Sequence, residues 1–167
     1  MKHLKKTHLT YIIAAISITA ALQACKQQPD YKAIRQQVVN VHDTIMKEDG
    51  KLMADESMLK SMTTPASFAQ LQKAYNIDTA AEKLKATALI YRLDSVSNAM
   101  SDWMNQFNPD VQDKNAEQAR DYFGIEKIKV SKLDSSYKSI LKTTGDYLNK
   151  FHLKAADSSA AKMKMKM

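Results

Sequence analysis

Residues 79–109 read TAAEKLKATALIYRLDSVSNAMSDWMNQFNP, and this stretch decides the fold. Leu89, Leu93, Val96, Met100, Trp103 and Phe107 follow one another at alternating four- and three-residue steps, the period of one face of an α-helix. A narrower seam of Leu84, Ala88 and Tyr91 joins that stripe. Thr79 with Glu82 three residues on has the pattern of a capping box. Asn108-Pro109-Asp110 stops the segment, because proline cannot continue a helix. A long amphipathic helix is expected, its broad stripe turned into a core.

The segments on either side keep the same period. Upstream, Asp30 can cap a helix in which Tyr31, Ile34, Val38, Val41, Ile45, Leu52, Leu59 and Met62 keep three- and four-residue steps, apart from gaps at Glu48 and Asp55. Gly50 allows a kink or brief break near that point, since glycine inside a helix costs about 1 kcal/mol against alanine. The segment ends before Thr63-Thr64-Pro65, because a residue preceding proline avoids the α region. Residues 65–78 form a short helical piece with Phe68, Leu71 and Tyr75 on one side, broken at Asn76-Ile77-Asp78. Downstream, a helix from about Asp113 to His152 carries Val130, Leu133, Tyr137, Ile140, Thr144, Tyr147 or Leu148, and Phe151 at a heptad-like step. The expectation is an all-α fold of three long antiparallel amphipathic helices. They form either an up-down-up bundle or a coiled-coil-like hairpin with a third helix, and the extended hairpin would dimerise.

Composition agrees. Three glycines and three prolines in 167 residues are too few for an all-β fold, which needs many tight turns. The length suits one core. The formal charge of +7 overstates the basicity of the body. Lys2, Lys5 and Lys6 precede residue 25, so the remainder holds 22 basic against 18 acidic residues, +4. Lys162, Lys164 and Lys166 carry three of those charges. The body is therefore near neutral, which argues against nucleic acid as a partner.

The N-terminus has its own organisation. Met1–His8 carries three lysines, and an apolar run of about 14 residues, Leu9–Leu22, follows; a bilayer-spanning helix needs roughly 20. This is the pattern of a secretory signal. Next comes Leu22-Gln23-Ala24-Cys25, which resembles the lipobox of bacterial lipoproteins, with Gln23 departing from the small or branched residue usual there. The resemblance implies a signal peptide over 1–24, a diacylglyceryl group on Cys25, the residue expected to incorporate palmitate, and a tether over 25–30. Without the lipobox, the same run would serve as a plain signal cut near Ala21 or as a retained membrane helix. Lys26 rather than Asp follows the cysteine, which by analogy with enteric bacteria favours the outer membrane. Cys25 is the one cysteine, so no intrachain disulfide forms and packing must hold the exported body, 31–153. Residues 154–167, ending in three Lys-Met pairs, show no apolar face and are expected to be a disordered tail.

Two stretches carry a further resemblance. Val41-His42-Asp43-Thr44-Ile45-Met46 and Ala99-Met100-Ser101-Asp102-Trp103-Met104-Asn105-Gln106-Phe107-Asn108-Pro109 resemble segments of small helical lipoproteins of Bacteroidota, a family often labelled "viral A-type inclusion protein". Thr44 departs from that family's glutamate. The resemblance implies a lipid-anchored helical bundle and brings no activity, ligand or catalytic residue.

Ten methionines are the compositional oddity. His42 with Met46, and Met46 with Met53, lie at helical spacing, and imidazole and thioether groups suit Cu(I). These three residues are the candidate ligands of a soft-metal alternative; the competing reading is that methionine fills gaps in helical cores. Adjacent His42 and Asp43 point about 100° apart on a helix, which ill suits an acid–base pair on one substrate atom. Trp103, Phe107 and Tyr91 suit either a stacking surface or the core. With no Gly-rich phosphate loop, nucleophile elbow or Cys/His ligand set, no catalytic residue, enzyme activity or cofactor is expected. The expected partners are the membrane, through the lipid, and a protein of the cell envelope.

Overall fold

The computed structural model describes residues 30–154. The expected signal segment over 1–24, Cys25, the expected tether up to residue 29 and the expected tail from residue 155 lie outside the described residues. Four helices make up the fold: α1 (Tyr31–Met62), α2 (Pro65–Tyr75), α3 (Thr79–Gln106) and α4 (Ala116–Asn149), and no strand occurs among the described residues.

Local chemistry sets the boundaries. Thr64 caps α2, its hydroxyl accepting from Ser67 N at 3.2 Å, and Pro65 takes the first helical position, where its missing N–H costs nothing. Asn76 ends α2 in the left-handed region at φ 49°, donating its N–H to Gln72 O. Asn115 opens α4 with a reciprocal capping box to Gln118.

Two boundary expectations are corrected. The cap of α3 is Asp78, whose carboxylate accepts from Ala80 N and Ala81 N, and not a Thr79–Glu82 box. Glu82 points instead into the bundle. Helix α1 also runs unbroken through Gly50. Ile45 and Leu52 flank that glycine and are fully buried, and packing on both sides outweighs its weak helix propensity.

Pairs between helices fix the topology. Tyr31 stacks on Phe123, Gln37 accepts from Lys127, and Asp49 accepts from the Tyr137 hydroxyl. These pairs rise together in number, so α1 and α4 run parallel. Trp103 pairs with Glu126 while Glu82 pairs with Lys150, so α3 runs antiparallel to α4. The result is an up-down-up bundle, with α2 packed across the connection between its first two long helices.

The core repeats every seven residues. Val38, Ile45, Leu52 and Leu59 of α1, Ala86, Leu93 and Met100 of α3, and Val130, Tyr137 and Thr144 of α4 are all buried. That spacing matches the under-wound geometry in which one seam keeps facing its neighbours. The broad stripe of α3 faces the core as expected. The narrower seam does not: Leu84 and Tyr91 are 73% and 74% exposed.

Candidate functional site

At the end of the bundle where α1 begins, aromatic rings from all three long helices gather. Trp103 stacks on Phe107 at 4.9 Å, Phe107 meets Tyr122 and Phe123, and Tyr31 lies parallel to Phe123. The His42 ring lies 6.0 Å from that of Trp103, tilted by 38°. The two stretches singled out in the sequence, 41–46 and 99–109, therefore touch. Trp103 Nε1 donates to Glu126 Oε2 at 2.8 Å, so the one polar atom of the indole is satisfied inside the bundle. Trp103 belongs to the core, as does much of Phe107, whereas Tyr91 stands apart on the surface.

Glu126 is one of three buried acids on the long helices, with Asp55 and Glu82. Each receives a lysine of its own helix that brings its charge in from the surface: Lys51 to Asp55, Lys85 to Glu82, and Lys129 to Glu126 at 2.7 Å. Glu82 also accepts from Lys150 of α4 at 2.8 Å. Burial pushes the Glu82 carboxyl up, but hydrogen bonds and charge from Lys150 and Lys85 outweigh it and hold the group below its ordinary 4.5. On the opposite face of the same contact, the Tyr147 hydroxyl donates to Glu82 O. Sequence reasoning missed these acids as interior groups, although the signal was there. Asp55 repeats at seven from Met62, Glu82 from Leu89, and Glu126 from both Ala119 and Leu133.

The metal candidates separate. His42 and Asp43 do pair, Nδ1 to Oδ1 at 3.0 Å, because the two short side chains bend together across the angle between them. The pair is 29% and 59% exposed, and no third acid or base joins it; no group of three His, Cys, Asp or Glu that could hold a metal occurs among the described residues. Met46 stands one turn from His42, and both Met46 and Met53 are exposed. Met53 lies eleven positions beyond His42, about 16 Å along the axis. The three side chains therefore do not meet at one ion. Met62 and Met100, by contrast, are core residues.

The lateral face of α3 and α4 carries a different chemistry. An open cleft of about 370 Å³ lies between Tyr91, Arg92 and Ser95 on one side and Ser135, Ser136 and Ser139 on the other, with Val96 and Ile140 at its floor. A shallow recess, wide open to solvent, continues on α4 alone past Lys127, Ile128, Ser131 and Lys132. Ser135 and Ser136 line both, so the two form one stripe. No protein-family model, curated protein or solved structure matches this chain.

Proposed function

We propose that the chain is a lipid-anchored, non-catalytic helical protein that acts by binding within the bacterial cell envelope, most simply at the outer membrane. The observation that carries this reading is Leu22-Gln23-Ala24-Cys25 directly after a basic end and an apolar run of lipoprotein-signal length. Residues 1–24 direct export, and Cys25 then holds the lipid. Among the described residues no helix is long and apolar enough to cross a membrane. The reading places attachment in the lipid on Cys25.

Two features of the body support a binding role. Its core is closed by apolar heptads and paired acids, while clefts, exposed rings and unmatched cations lie along its sides. The stretches 41–46 and 99–109, on which the resemblance to helical lipoproteins of Bacteroidota rests, pack together through His42 and Trp103. The soft-metal alternative keeps His42 and Met46, one helical turn apart, and loses Met53, which stands too far along α1 to share an ion with His42. The test is labelling of the wild-type and Cys25→Ala chains with palmitate.

A further inference from the structure

We infer that the serine-lined stripe running from the α3–α4 cleft along α4 is a binding site for an acidic polysaccharide, with Tyr91 as its sugar-stacking ring and Arg92 and Lys132 as its carboxylate partners.

The stripe is one-sided in charge. Several lysines of the bundle face an acid one turn away: Lys60 pairs with Glu56, Lys138 with Asp134 at 2.7 Å, and Lys142 with Asp146 at 2.6 Å. No acid lines the cleft or the recess of the stripe. Its cations are Arg92, Lys127 and Lys132. Lys127 is bonded to the neutral amide oxygen of Gln37 at 2.6 Å, and neither Arg92 nor Lys132 enters an ion pair among the described residues. On a nearly neutral body this is a local excess of positive charge. An arginine fork without an acid beside it is ready for a carboxylate.

The remaining surface suits sugar. Ser135 and Ser136 donate their hydroxyls to Ser131 O and Lys132 O, which leaves the oxygen lone pairs outward as acceptors for sugar hydroxyls. Tyr91, 74% exposed, offers a flat apolar face with a polar edge beside them. The cleft of about 370 Å³ between α3 and α4 lies in the range of ligand sites. The continuity of cleft and recess favours a chain over a single ring.

Other polymers fit less well. A docking helix wants apolar anchors in an apolar groove, whereas here serines outnumber Val96, Ile128 and Ile140. Single-stranded nucleic acid is held by successive stacking rings in a strongly basic groove, whereas Tyr91 is the one ring lining the stripe. The preference for a glycan over nucleic acid rests in part on the export reading of the previous subsection.

The probe is an oligogalacturonate, a chain of uronic acids, titrated calorimetrically into the full-length protein in neutral detergent. Binding is expected at low ionic strength, weakening as salt rises. Arg92→Glu with Lys132→Glu should weaken it by at least about tenfold, a loss of two charged contacts. Both residues are exposed, so the thermal melt should be unchanged. Tyr91→Ala should also weaken it, and a neutral maltooligosaccharide should not bind. Cys25→Ala should bind oligogalacturonate like the wild type, so failure of the anchor is separable from failure of the site. No binding, binding unaltered in the double variant, or tighter binding of oligothymidylate through the same residues would overturn the proposal.

Discussion

Trp103 and Glu126 join α3 to α4 by a 2.8 Å hydrogen bond between two buried side chains, at the level where His42 of α1 meets the indole. One contact thus ties all three long helices. Trp103→Ala should cost about 3–5 kcal/mol, because a large side chain leaves a cavity that neighbouring helices close only in part. Trp103→Phe keeps much of the volume but strips Glu126 of its indole donor, and should cost about 1–3 kcal/mol. Urea melts measure both. In the wild type, emission should be blue-shifted when folded and move red on unfolding. Emission like that of free tryptophan, with an unchanged Trp103→Ala melt, would put the ring on the surface.

Glu82 and Tyr137 make stability depend on pH at opposite ends. The Glu82 carboxyl is held below 4.5, so its stabilisation is present above that value and is lost as pH falls through the lower folded value. Tyr137 behaves inversely. Burial first, then the Asp49 charge, pushes its phenol from 10.0 up to about 12, so its contribution is full below pH 10 and is lost as pH rises towards 12. Melts across pH should show Glu82→Gln flattening the acid limb and Tyr137→Phe the alkaline limb. Unchanged limbs would contradict the pairings.

Gly124 and Gly145 lie inside α4, and a Cβ added at either would meet nothing within 4 Å. Each to alanine should stabilise the protein by about 0.5–1 kcal/mol, by relief of backbone entropy alone. A fall in melting temperature would show that the helix does not run straight through these positions.

Much of this fold is legible in the residues themselves. Thr63-Thr64-Pro65 and Asn108-Pro109-Asp110 mark true helix ends, and the step from Leu89 to Phe107 marks the buried face of α3. Leu84 and Tyr91 were not separable from that face by period alone. Two apolar lines on one helix look alike until its neighbours are placed, and α1 and α4 together cover only one of them. Of the buried acids, Asp55 alone is visible as a gap in an apolar seam, that of α1. That it goes inside depends on Lys51 reaching over it at 2.5 Å, a matter of side-chain reach and not of pattern. The stripe on α3 and α4 was invisible for a similar reason, because Arg92 and Ser135 come together only through the antiparallel packing.

The central claim, attachment through a lipid on Cys25, is tested most directly by growing cells that express the chain with labelled palmitate. The wild-type protein should incorporate label and Cys25→Ala should incorporate none, at equal expression. Label retained by Cys25→Ala, or absent from the wild type, would contradict the account.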